Sequence, residues 1–222
     1  MLEEKIAELR KELIGHAALA EHMIDKSIGG LLNKNRAWLI EVIGKDEPKV
    51  NDTEIMLDEL CTRMIAQYQP KAKDLRTILM ALKMSNDLER VADHAVNISE
   101  SALFLIERPQ VKPLIDTPKM AEESVKMLKD SISSYINEDP VLARNVCERD
   151  SIVDELADNI LRELIAVMIA EPSTIERSLH LLKIARNLER IADLSTNICE
   201  DVIFMIEGEV IKHNILDKNI LV

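Results

Sequence analysis

The chain writes one stretch twice. Residues 86–100, NDLERVADHAVNISE, return at 186–200 as RNLERIADLSTNICE. Each copy reads Leu-Glu-Arg, then Val or Ile, then Ala-Asp, with Asn-Ile beginning four residues after the Asp. A chain of this kind must build two equivalent settings for two equivalent segments. Its fold is therefore expected to have two halves of one design.

The surrounding sequence follows the same plan. NKNRAWLIEVI at 33–43 matches NEDPVLARNVC at 137–147, KVND at 49–52 matches IVDE at 152–155, and Pro70 matches Pro172. The offset drifts from 104 to 103, then 102, then 100 at the repeated motif. The first step of that drift puts one extra residue in the first copy between Val42 and Val50, where Gly44 and Pro48 stand. A kink or bulge is expected there. Units of this length exceed solenoid repeats, and each reads as an up-down-up three-helix bundle with short loops.

Helix is the only regular structure the residues favour. Aromatics are 2% of the chain and there are only five glycines, whereas Leu, Ile, Ala, Glu, Lys and Met abound. Strands and hairpins draw on the former classes and helices on the latter. Apolar residues recur at helical spacing from Leu2 through Ile6, Leu9 and Leu13 to Leu31 and Leu32. Asn33-Lys34-Asn35 makes a turn, and a second helix is expected from Arg36 to Tyr68 with a break near Gly44–Pro48. Pro70 opens a third, from Lys71 to Glu107. Thr117-Pro118 and Asp139-Pro140 read as cap-plus-proline starts for the fourth and fifth helices, and Ser173 with Glu176 as a capping box for the sixth, which ends at Gly208. The expected fold is all-α: six long helices in two pseudo-symmetric antiparallel three-helix bundles. The first covers 1–108, the second 114–208, and 209–222 is a C-terminal tail.

Charge narrows the function. The formal net charge is −12, with no basic stripe to displace counterions from a nucleic acid, so nucleic acid is not expected as a partner. Hydrophobic residues at 47% describe a foldable globular chain, yet no apolar run reaches the roughly 20 residues of a membrane span. The first helix is charged and amphipathic, unlike a signal peptide. Cys61, Cys147 and Cys199 are widely spaced without a CxxC, as in buried positions of a reduced cytoplasmic protein. A cytoplasmic location is expected.

The repeated motif places acids four apart on one helix face. Glu89, Asp93 and Asn97 form a polar stripe in the first copy, extended by Glu100; Glu189, Asp193, Asn197 and Glu200 form it in the second. Asp150, Asp154 and Asp158 make a stripe on the fifth helix, whose counterparts on the second are Glu47 and Asn51, with Glu54 and Asp58 nearby. Adjacent antiparallel helices would then bring carboxylates together in one groove. Such groups repel unless neutralised, and a multivalent cation neutralises them. Oxygen donors suit Mg, Mn, Ca or ferric iron. The competing reading is a solvated acidic face paired with Arg90, Arg190, Lys83 and Lys183. His16, His22, His94, His180 and His213 supply no Glu-x-x-His motif, and His94 is replaced by Leu194 in the second copy, so it reads as a local polar contact. No P-loop and no nucleophile set beside a base is present, and the ten methionines read as core filler.

DLERVADHAVNISE with its second copy NLERIADLSTNICE resembles the PhoU family of phosphate-transport regulators. So do PKAKDLRTILMALKMSNDLER at 70–90 and ERDSIVDEL at 148–156. The likeness runs from about Leu2 to Gly208. It implies two similar three-helix bundles, and a negative regulator of phosphate uptake and of the phosphate-starvation response. Such a protein couples a phosphate ABC transporter to a membrane sensor histidine kinase, and a homodimer is expected. The resemblance also implies multinuclear metal, iron foremost, with Mn, Mg or Zn as alternatives. The acids carried over are Glu89, Asp93, Glu189, Asp193, Asp150 and Asp154. In the first copy the matching segment runs from Glu47 to Asn51 with Pro48 inside it, one charge fewer. The expected protein is thus an adaptor and not an enzyme. The rival readings are a metal-carboxylate helical-bundle enzyme and a purely structural helical scaffold.

Overall fold

A computed structural model describes residues 1–208, and the expected tail at 209–222 lies outside them. Helix α1 spans Leu2–Leu32. Helix α2 spans 36–68 and is built from an α segment Arg36–Glu41, a π turn Val42–Asp46 and a second α segment Glu47–Tyr68. Then follow α3 (Ala72–Ile106), α4 (Asp116–Asn137), α5 (Pro140–Ala170) and α6 (Ile175–Glu207). Among the described residues there are six long helices and no strand.

The extra residue inferred from the offset drift is accommodated by the π turn. A π turn inserts one residue without ending a helix, so both flanking α segments keep their buried faces. Leu39, Val42 and Val50 are all fully buried across it. Pro48 sits in the first turn after the π segment, where its missing N–H costs least. The α1–α2 turn depends on Gly29 and Gly30, over which Trp38 and Leu39 fold back. A Cβ on Gly30 would stand 2.5 Å from Leu39 Cδ2.

Two helix starts differ from the sequence reading. Helix α4 begins at Asp116, ahead of Thr117-Pro118, with no side-chain cap. The expected capping box on α6 does not form. A 3₁₀ turn, Pro172–Thr174, intervenes; Ser173 Oγ donates to Glu171 Oε1 at 2.7 Å, and Thr174 Oγ1 donates to the Glu171 carbonyl. Short hydroxyl side chains readily satisfy a nearby group of their own turn instead. Asp139 does cap α5, accepting from the Val141 and Leu142 amides at 2.9 and 3.0 Å. Gly208 closes α6 in the left-handed conformation at φ 75.

Helices α1, α2 and α3 form one bundle and α4, α5 and α6 the other, with α3 and α6 packed most extensively against each other at the centre. The central pair runs antiparallel. Lys83 meets Asp201 at 3.0 Å and Lys183 meets Glu100 at 3.7 Å, so each repeat's lysine reaches an acid near the far end of the other repeat's motif helix. The apolar residues of the repeated motif form the core: Leu88, Val91, Ile98, Leu188, Ile191 and Ile198 have no exposure. Burying one such side chain contributes roughly 1.5–3 kcal/mol. That face fixes the rotation of α3 and α6 and turns the acidic stripe toward the neighbouring middle helix. No helix among the described residues is long and apolar enough to cross a membrane.

Candidate functional site

The orientation of α6 sets Glu189 and Asp193 against α5. There Asp150 and Asp154 project from the facing side, one turn apart. Burial raises the Asp150 carboxyl to about 6, and Asp154, Asp193 and Glu189 push in the same direction. Glu189 is raised by burial, then by Asp193 and Asp154; Asp154 by burial, then by Asp193 and Asp158. Each acid thus lies in the field of the others. Arg190 Nη1 meets Asp193 at 2.9 Å, and Asp193 is the one member of this group with an ion pair among the described residues.

The first repeat assembles an equivalent group from α2 and α3. Glu89 is raised by burial, then by Asp93, Glu54 and Glu47. Glu54 also accepts a hydrogen bond from Asn86 at 3.2 Å. Asn51 stands among these acids on α2, and its carbonyl Oδ1 is buried without a hydrogen-bond donor. An unpaired buried carbonyl oxygen costs roughly 1–3 kcal/mol, and it is the donor type a hard cation accepts.

The cationic partners of the competing reading mostly go elsewhere. Arg90 binds Asp87, Lys83 binds Asp201 and Lys183 binds Glu100. Of Glu89, Asp93, Asp150, Asp154, Glu189 and Asp193, only Asp193 is in an ion pair among the described residues. The carboxylates therefore face one another largely uncompensated. As they stand, no three His, Cys, Asp or Glu side chains among the described residues close on a common point.

Two expected residues sit apart. Asn97 donates its amide to the Asp93 carbonyl at 3.0 Å, one turn along its own helix. Asn197 turns away from Glu189 into a groove of about 430 Å³ between α2, α3 and α6, with Asp58, Lys83, Asn86, Asp87, Glu200 and Asp201. Burial raises the Asp87 carboxyl there to about 6. His94 makes a local polar contact, Nδ1 to Asn187 Oδ1 at 2.8 Å. Asp87 and Asp201 were not singled out from sequence, because their grouping depends on the register of α3 against α6.

Comparison with known proteins agrees with this architecture. The model of the PhoU domain matches twice, at residues 14–102 and 117–202. The chain is 40% identical over 210 residues to the phosphate-specific transport system accessory protein PhoU homolog of Aquifex aeolicus, covering 95% of each chain. It is 34% identical to PhoU homolog 2 of Thermotoga maritima, covering 96% of this chain and 90% of that one. The crystal structure of PhoU from Pseudomonas aeruginosa superposes with a TM-score of 0.90 at 28% identity, covering 94% of this chain and all of that one.

Proposed function

The chain belongs to the PhoU family, and on that premise we propose that it is a negative regulator of phosphate uptake and phosphate-starvation signalling. It acts as an adaptor between a phosphate ABC transporter and a sensor kinase, and works as a homodimer in the cytoplasm. The observation that carries this reading is end-to-end similarity to proteins named as accessories of phosphate-specific transport. That naming also favours an accessory over an enzyme. Deleting the gene tests the role. A phosphate-starvation reporter should become active in phosphate-rich medium, and the tagged full chain should co-purify with the transporter. A reporter that stays silent overturns the reading.

Within this reading the two carboxylate groups are cation sites that bridge the middle and last helices of each repeat. Asp150, Asp154, Glu189 and Asp193 would hold the ion in the second repeat, and Glu47, Asn51, Glu54, Glu89 and Asp93 in the first. Iron is the foremost candidate, with Mn, Mg or Zn as alternatives. What supports it is the donor chemistry: repelling carboxylates of which only Asp193 holds an ion pair among the described residues, and one buried carbonyl oxygen without a donor. A bound cation supplies positive charge at that seam. The protein's own side chains supply the hard oxygens and fix the spacing of the helices that carry them. Elemental analysis of protein purified without chelator, with thermal melts in EDTA and in added Fe or Mn, tests the sites. Metal-free protein with identical midpoints would overturn them.

A further inference from the structure

The thiols at 147 and 199 are far apart in sequence and meet in the fold. Cys147 lies on α5 and Cys199 on α6, and across the helix seam each thiol is the largest influence on the other's ionisation. Cys147 Sγ also lies 4.0 Å from the carbonyl oxygen of Thr196, three residues before Cys199 on the same helix. The pair is asymmetric. Cys199 has no exposure and Cys147 is half-buried. The third cysteine, Cys61, is fully buried on α2 in the other repeat.

Repeat one provides an internal contrast. Its residues at the matching positions are Ile43 and Ser99, which cannot cross-link. The thiol pair is thus no requirement of the bundle itself, since the same seam packs without it.

We propose that Cys147 and Cys199 form an oxidisable dithiol, a modification site at which a hydroperoxide converts two thiols into a disulfide joining α5 to α6. The Cys147 sulfur, reachable from solvent, attacks one peroxide oxygen. The S–O bond forms, the O–O bond breaks, and the thiol proton leaves with the departing oxygen as water or alcohol. The Cys199 sulfur then attacks the sulfenic sulfur of Cys147. The S–S bond forms, the S–O bond breaks, and the Cys199 proton leaves with that oxygen as a second molecule of water. Sulfur is oxidised and peroxide oxygen reduced, with two electrons transferred. The burial of Cys199 suits the resolving role, because solvent does not reach it and Cys147 lies beside it. The product locks two adjacent helices within one turn of Asp150.

The test uses the full chain with dilute hydrogen peroxide under native conditions, followed by alkylation and peptide mapping. Free thiols should fall from three to one per chain, with the loss of two hydrogens in the intact mass and a linked peptide pair containing Cys147 and Cys199. Cys61 should remain alkylatable once the protein is unfolded. In Cys199→Ser, Cys147 should halt at the sulfenic acid and be trapped by dimedone; in Cys147→Ser, neither remaining thiol should react. Three surviving thiols in the oxidised wild type would overturn the proposal. So would oxidation that joins Cys147 to a second chain or carries it to the sulfinic acid while Cys199 stays free. The wild-type peptide map decides the matter even if a variant folds poorly.

Discussion

The two repeats hold their middle helices in place with opposite charges. In the first, Asp46 of the π turn is 8% exposed in its side chain and meets Lys26 of α1 at 2.8 Å, with Lys49 at 3.1 Å and Glu41 completing the network on Lys26. The 103-residue offset places Arg149 at the same point of the second. Arg149 reaches back to Glu123 and Asp130 of α4 at 2.7 and 2.5 Å. The contact between first and middle helix was kept and its sign reversed. A bridge can reverse sign without loss when both partners change together. The carboxylate groups behave differently. They are negative in both repeats, on both facing helices, and make the seam less stable. Groups that repel and still recur are not explained by packing, and this contrast is the strongest physical argument that the acids serve a ligand.

The contrast is sharpest if the bridges are broken. Lys26→Met strands the almost buried Asp46 beside only a half-exposed lysine, and should cost about 4 kcal/mol, in the range for a buried pair that loses one partner. Arg149→Met leaves acids whose side chains are 20% and 29% exposed, and water offsets part of the loss, so about 2 kcal/mol is expected. Urea denaturation of both variants measures this. A larger loss from Arg149→Met would show that burial does not rank the two bridges.

Acid separates the repeats next. His16 on α1 is fully buried with neither ring nitrogen hydrogen-bonded, and burial holds it down at about 4. No histidine lies on α4. The unfolded chain takes up this proton near pH 6.5 and the folded one only near 4. Stability is therefore complete above 6.5 and falls as pH drops through that window, by about 3 kcal/mol at its lower end. Asp87 and Asp150 work the other way. They bind protons in the folded state from about 6 downward, so acidification relieves them. Subtracting the stability of His16→Leu from that of wild type at each pH cancels the acids and isolates the histidine. A difference that stays flat between pH 7 and 4 would mean that His16 finds a partner in solution.

Much of this is legible in the amino-acid sequence. The doubled motif gave the two bundles, and the offset drift located the π turn to within a few residues. Asp139-Pro140 marked the start of α5. That the acids of α2, α3, α5 and α6 line up along their own helices is legible because four-residue spacing on a helix is a statement about one face. What stayed hidden depends on the register between helices, which no single helix encodes. Asn197 shares its stripe with Glu189 yet faces another groove, and Cys147 meets Cys199 across a seam. Ser173 misled because its hydroxyl had a closer acceptor in Glu171. The reversal from Asp46 to Arg149 stands in the aligned sequence.

The acid groups can be ranked by how strongly they repel. Repeat two brings together four carboxylates, with Asp150 at about 6. Repeat one substitutes the neutral Asn51 at the position of Asp154 and recovers charge through Glu54, which Asn86 already engages. The second repeat should bind a hard cation more tightly. Asp193→Asn should lose more bound metal than Asp93→Asn by elemental analysis. Affinity in the second repeat should fall up to about tenfold per unit as pH drops below 6, because a proton on Asp150 competes with the cation. Equal losses in the two variants would put the repeats on a par.

The smallest effect concerns the π turn that takes up the extra residue of the first repeat's middle helix. Gly44 lies in the π turn with no atom near the place a Cβ would occupy. It is absent from the positions with positive φ, so an L side chain is tolerated there. Glycine inside a helix loses more backbone entropy on folding than alanine does, by roughly 0.5–1 kcal/mol. Gly44→Ala should therefore stabilise the protein by about 0.5 kcal/mol and raise its midpoint by a degree or two, as such a change does in a domain of this size. If the π turn instead stores strain that glycine relieves, alanine will lower the midpoint. The unequal lengths would then reflect a mechanical role for the kink, one that the unkinked α5 of the second repeat does not share.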